Sequence, residues 1–273
     1  MTAWIKNPKM KYNNRECDNM RKYKVIVFGN LPIATKVVME LQNEKNIELV
    51  GAVISDKNPN NNDPWREIPC MYEFCSENGI EVIELEKLPE RFKKQELDLG
   101  LSCRFGKIIS SETIQLFSKG IVNMHGGLLP EFAGLYSCNF SVLYGSKKGG
   151  GTLHYIDEGI DTGNILRRCE FDIDENDTGY TVFQKTQKAL FKNMMEIIPL
   201  VLEGKIEAYP MQELIEKGYE SRYFNKSSIY SYKEIKAEMS EEEILRTVRA
   251  FDFPGYEPAY MMVNGKKIYL RMS

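Results

Sequence analysis

Lys24-Val25-Ile26-Val27-Phe28-Gly29 is a short, β-branched run that stops on a glycine. Runs of this length that are apolar without alternation suit a parallel strand covered on both faces. Pro32 then opens a helical pattern in which Val37, Val38 and Leu41 share one face. Ile47 to Ile54 is a second β-rich run. Strand, glycine turn, helix, strand is the opening of a doubly wound α/β sheet. The turn itself, Gly29-Asn30-Leu31-Pro32-Ile33-Ala34, lacks a GxGxxG pattern, so the sheet is not read as an NAD site.

Outward from this unit the alternation continues. Asn58 to Asp63 is a polar loop, and a helix is expected from Trp65 to Asn78. Strands follow at Ile80–Leu85 and Leu97–Ser102, then a short helix capped by Ser110 or Ser111, and a strand at Gly120–His125. A helix over Ser137–Tyr144, strands at Gly150–Tyr155 and Asn164–Ile173, and a long amphipathic helix from Thr178 to Glu203, bearing Pro199, complete the pattern. Beyond Tyr209 the composition changes. Ser240 followed by Glu243 is a capping box, and Asn264-Gly265 between two apolar runs is a type I′ hairpin turn. The expected fold is α/β: a Rossmann-like, mostly parallel sheet with helices on both faces over 23–206. A small C-terminal α+β region ending in a hairpin occupies 207–273, and a polar arm occupies 1–22.

The chain has 273 residues, 42% hydrophobic and 27% charged, ordinary for a globular protein with a proper core. A net charge of −3 and a pI near 5.7 argue against a surface built to grip nucleic acid. Six cysteines without a CxxC pair and only two histidines offer no metal framework. With no apolar run long enough to span a bilayer and no signal-peptide pattern, the expectation is a soluble, cytoplasmic protein with reduced thiols.

Two stretches carry chemistry. In Asn123-Met124-His125-Gly126-Gly127-Leu128-Leu129-Pro130, Asn123 and His125 sit two apart on a strand and project side by side at its carboxyl end. An amide beside an imidazole, followed by two glycines, can receive a developing oxyanion and admit a ligand to the backbone. The same residues also suit a buried histidine satisfied by an asparagine. The second stretch is Gly151-Thr152-Leu153-His154-Tyr155-Ile156-Asp157-Glu158-Gly159-Ile160-Asp161-Thr162-Gly163. Either Asp157 or Asp161 could orient an imidazole, although acidic glycine turns are common on surfaces. His154, inside the strand, reads as structural.

Taken together, Asn-x-His-Gly-Gly-Leu-Leu-Pro-Glu-Phe-x-Gly and Gly-Thr-Leu-His-x-Ile-Asp-x-Gly-Ile-Asp-Thr-Gly resemble the formyltransferase superfamily that uses 10-formyltetrahydrofolate. The likeness runs from about Lys24 to Glu203. It implies an N-formyltransferase in which Asn123, His125 and Asp161 match the catalytic triad. It also implies that Lys107, Ile108 and Ile109 hold the pterin, and that the loop from Ile156 and Asp157 to Asp161 closes the folate pocket. Most relatives carry Pro-Ser after the histidine; Gly126 and Gly127 here, as substrate contacts, point to the branch acting on nucleotide-linked amino sugars.

In length and tail the chain resembles that branch. The implied acceptor is a dTDP-linked 3- or 4-amino-dideoxyhexose, with a product feeding lipopolysaccharide, O-antigen or another surface glycan. GDP-linked amino sugars and initiator methionyl-tRNA are the alternatives. A non-catalytic binder would not need all three triad residues, and a folate hydrolase would release formate without an amine. Among the tail's aromatics (Tyr219, Tyr223, Phe224, Tyr230, Tyr232, Phe251, Phe253, Tyr256 and Tyr260) Tyr223 is the expected base contact. A homodimer through the terminal hairpins would cover their edges.

Overall fold

The computed structural model describes residues 21–272, so the polar arm expected at 1–22 lies almost wholly outside the described residues. In chain order the strands are β1 (Tyr23–Gly29), β2 (Ile47–Val53), β3 (Val82–Ile83), β4 (Leu99–Cys103), β5 (Ile121–His125), β6 (Ala133–Gly134), β7 (Lys148–Tyr155), β8 (Ile165–Asp172), β9 (Tyr223–Phe224), β10 (Ala259–Val263) and β11 (Lys266–Leu270). The helices are α1 (Pro32–Leu41), α2 (Met71–Glu77), α3 (Leu88–Arg91), α4 (Ser111–Ile114), α5 (Ser137–Leu143), α6 (Gly179–Leu202), α7 (Gln212–Glu216) and α8 (Glu241–Phe251).

Seven strands form one sheet in the order β3-β2-β1-β4-β5-β7-β8. The pairings from β3 through β5 are parallel, and β7 and β8 join antiparallel at one side. The unbroken apolar run of β1 has a direct cause. Val25 and Val27 enter the core shared with α1 and α6, whereas Ile26 and Phe28 enter the opposite core with Leu88 and Phe117. Both faces of the strand are buried, as period-2 geometry requires of a sheet covered on two sides. The Rossmann-like expectation with helices on both faces holds.

The first differences are local. The helix expected from Trp65 begins only at Met71, because Pro69 disfavours helical geometry at Ile68. The strand expected over Ile80–Leu85 pairs at only Val82 and Ile83, on the edge of the sheet. The capping boxes form: Ser240 Oγ accepts from the Glu243 N–H while the Glu243 carboxylate accepts from the Ser240 N–H, and Thr178 with Thr181 closes the start of α6 likewise. Asn264 and Gly265 have φ of 49° and 73°, the geometry of the type I′ turn. Among the described residues, no helix is long and apolar enough to cross a membrane.

The tail is tied into the sheet domain. β9 pairs with β6, so Phe224 lands on Phe140 of α5 with ring centroids 3.8 Å apart and planes within 11°. Both rings are buried. Phe224→Ala leaves a cavity beside Phe140 and is expected to cost about 3–5 kcal/mol. Urea unfolding checks this, and a loss below about 1 kcal/mol would show that the tail contributes little to the common core.

Candidate active site

The site grows from the carboxyl end of β5. Parallel β4 lies on one side of it and antiparallel β7 on the other. The register sets Asn123 opposite Ser102 and opposite His154. Paired residues on adjacent strands share a face, so Ser102, Asn123 and His154 form a row across the sheet. Ser102 Oγ donates to Asn123 Oδ1 at 2.8 Å, and Asn123 Nδ2 stands 3.1 Å from His154 Nε2. On its other side the His154 ring donates from Nδ1 to the Tyr155 carbonyl at 2.8 Å. That bond fixes the tautomer, leaving Nε2 to accept from the asparagine amide. His154 is therefore more than the structural histidine expected from sequence: it orients Asn123.

His125 lies one register step further along β5 and is buried. Its Nε2 donates to the Phe132 carbonyl at 2.7 Å, and its Nδ1 faces Asp161 Oδ1 at 3.3 Å. The Asp161 carboxylate also lies 3.6 Å from His154 Nε2 and accepts from the Gly134 N–H at 2.8 Å. Its backbone adopts φ 56°, a left-handed conformation that aspartate tolerates better than most residues. Burial alone would raise the Asp161 pKa. The bond and charge from His125 and the Gly134 N–H outweigh it and hold the carboxyl far below the usual carboxylate range.

Asn123, His125 and Asp161 thus belong to one connected network, although Asn123 reaches Asp161 only through His154. Asp157 does not orient a ring: it accepts from the Gly159 N–H and from Thr162 Oγ1, bracing its own turn. The other expected contacts divide between two sides. Ile109 and Ile156 pack in one apolar cluster, and Ser111 Oγ donates to Glu158 at 2.9 Å, joining the Lys107–Ile109 segment to the 156–161 loop. Ile108 is 80% exposed, and Ile160 is also exposed. A flat ring would cover such apolar side chains.

A cavity of about 470 Å³ lies on the other side, with Gly126 and Gly134 in its wall. A Cβ on Gly126 would meet nothing within 4 Å, so this backbone is open to the cavity. Gly127, expected beside it as a substrate contact, faces inward: a Cβ there would stand 2.5 Å from the Phe132 carbonyl and from Ser137. It is a glycine because two backbone segments meet there. Tyr223 is exposed on β9 and is not part of the cavity wall.

The aromatic wall comes instead from Tyr136, Phe183, Tyr230, Phe251, Phe253 and Tyr256. Two cations enter it. Arg104, paired with buried Asp63, lies 4.8 Å over the Phe183 ring. Lys233 is buried 3.7 Å from Glu257, and burial pulls its ammonium below the usual lysine range. Sequence reading missed both. Arg104 follows β4 directly, and the carboxyl end of a central strand was a usable signal; Lys233 had none.

Comparison with known proteins bears on this site. A family model described as formyl transferase matches residues 21–198. A methionyl-tRNA formyltransferase from Bacillus subtilis (strain 168) is 32% identical over 193 residues, covering 69% of this chain and 61% of that protein. The chain thus spans about three fifths of the length of the curated relatives it matches. A 4-N formyltransferase from Francisella tularensis has a similar fold, with a TM-score of 0.73 at 21% identity over 92% of this chain and 97% of that one. An N-formyltransferase from Helicobacter canadensis, solved in complex with folinic acid and dTDP-3-aminofucose, gives a TM-score of 0.70 at 25% identity, covering 91% and 86%.

The depressed Asp161 carboxyl makes stability depend on acid. A group ionised more readily in the folded chain contributes fully above its unfolded pKa, about 4, and loses that contribution as pH falls toward the folded value. The thermal stability margin of the wild type over Asp161→Asn is expected to be widest above about pH 5 and to narrow on acidification. Melting temperatures from pH 7 to 3 test it; a margin that does not vary with pH contradicts the assignment.

Proposed function

This chain belongs to the formyl transferase family, and on that premise we propose that it is an N-formyltransferase moving a formyl group from 10-formyltetrahydrofolate to the amine of a nucleotide-linked amino-dideoxy sugar. One observation carries the acceptor assignment. The 470 Å³ cavity opens from Gly126, the residue after His125, into a chamber of aromatic rings with Arg104 and Lys233. Pockets of this size and lining suit small ligands. Rings can stack on a base, and an arginine and a lysine suit a diphosphate. The Helicobacter canadensis enzyme, similar over most of both chains, was crystallised with a dTDP-linked amino sugar. These points support a dTDP-linked 3- or 4-amino-dideoxyhexose; the proposal extends to its formylation in the cytoplasm for surface-glycan assembly.

On the opposite side, the pterin would lie against the Lys107–Ile109 backbone and the 156–161 loop. The amine reaches the formyl carbon from the cavity side, and negative charge grows on the formyl oxygen. Asn123 has spent one N–H on His154 and offers the second to that oxygen. His125, between the Phe132 carbonyl and Asp161, supplies positive charge when protonated. Preorganised donors of this kind contribute a few kcal/mol each. A C–N bond to the acceptor forms, the bond to the carrier nitrogen breaks, and the proton shed by the amine is relayed by way of the His125–Asp161 pair to that departing nitrogen. Asn123→Ala, His125→Ala and Asp161→Ala are each expected to cut turnover about 100-fold or more. Mass spectrometry of an amine panel with 10-formyltetrahydrofolate tests the acceptor. Formylated sugar nucleotide supports the reading, whereas formylated tRNA or formate released without amine overturns it.

The proposal extends to a homodimer. One face of the terminal hairpin begins in the core at Ala259 and Leu270 and continues outward through Met261, Val263 and Ile268, which are exposed. Alternating strand positions place these side chains together. An apolar face meeting its own two-fold copy would bury the stripe and protect the strand edge. Light scattering should give twice the chain mass for the wild type and the chain mass for Ile268→Lys. A monomeric wild type at micromolar concentration rules the dimer out.

A further inference from the structure

In the wall of the cavity beside the reacting centre, a buried polar group has needs that the described residues do not meet. Gln187 projects from α6 into the wall and is 1% exposed, yet its Oε1 has no hydrogen-bond partner among the described residues. An unmet buried amide is costly, and native interiors rarely keep one without a reason.

Three other polar side chains of the same wall are already engaged. Asn139 Nδ2 donates to the Ala250 carbonyl at 2.7 Å. Arg104 is held by Asp63, and the Cys138 thiol lies between the Gly126 carbonyl at 3.3 Å and Thr186 Oγ1 at 3.6 Å. That last chain of contacts places the neighbouring turn of α6 at the Gly126 end of the cavity, where the reacting amine would enter. Tyr230, Lys233 and Tyr256 come from the C-terminal tail, separate from this floor.

We propose that Gln187 is a specificity-determining residue whose amide hydrogen-bonds a hydroxyl on the acceptor sugar beside its amine. The inference rests on the acceptor assignment above. A hydroxyl meets the requirement in either amide orientation, because it both donates and accepts, whereas the amide would present an oxygen one way and N–H groups the other. A site that reads a hydroxyl this way disfavours acceptors lacking it, since the amide then stays unpaired.

The test uses Gln187→Met, close in shape and apolar, in the full chain. The probes are dTDP-3-aminofucose and its analogues deoxygenated at the positions flanking the amine. With the parent compound, kcat/KM is expected to fall about 10- to 100-fold in the variant. One deoxy analogue should suffer a similar loss with the wild type and no further loss with the variant, so that the two changes fail to add. Since the amide oxygen has no protein partner, Gln187→Met should melt at or above the wild-type temperature. Unchanged kinetics, equal losses on every analogue, or a clearly lowered melting temperature would each overturn the role. If the wild-type enzyme formylates the probe and Gln187→Met does so equally well, the Gln187 role alone falls. A wild type that formylates no sugar nucleotide removes the acceptor assignment, and the Gln187 role with it.

Discussion

A single carboxylate, 11% exposed, organises this molecule's working end. Asp161 comes from the loop between β7 and β8, touches His125 on β5 and His154 on β7, and takes the N–H of Gly134 from a third segment. Three stretches of chain are thereby held around one negative charge. The charge survives its surroundings because His125 and the Gly134 N–H donate to it. Remove it, and two imidazoles with ring centroids 6.3 Å apart lose the carboxylate they share, each keeping only its bonds to its own side of the site.

Around that charge the two sides of the site have different characters. Toward the 107–109 segment the wall is made of isoleucine and backbone, suited to a flat ring. Toward α5, α6 and the tail it is aromatic and cationic. The tail is more than an appendage, because β9 pairs with β6 directly beside Gly134, the donor to Asp161. Stacking of Phe224 on Phe140 therefore bears on the site as well as on stability.

Much of this was legible from sequence for identifiable reasons. Buried parallel strands announce themselves as unbroken apolar runs, and β1 does so because its two faces feed two cores. Capping boxes and Asn-Gly turns are local chemistry, readable without a fold. Asn123 and His125 could be paired because strand spacing alone puts them on one side. His154 could not be assigned, since its role depends on the antiparallel register that sets it opposite Asn123, and register is a long-range property. Gln187 was hidden for a similar reason. On an amphipathic helix a buried glutamine looks like any other interruption of the apolar stripe until the helix is docked. The direction of Gly127, set by close approach to Phe132 and Ser137, was equally beyond reach.

The cavity's construction from distant parts has a consequence for how such a protein changes over time. The proposed triad and its supports, Ser102, His154 and Gly134, come from the sheet and its loops, while Tyr230, Lys233 and Tyr256 come from beyond residue 225 and share no hydrogen bond or ion pair with them among the described residues. On the proposed function, drift beyond residue 225 can therefore trade one acceptor for another while the residues around Asp161 stay as they are. Mutational libraries confined to residues after 225 are the economical place to look for new cargo.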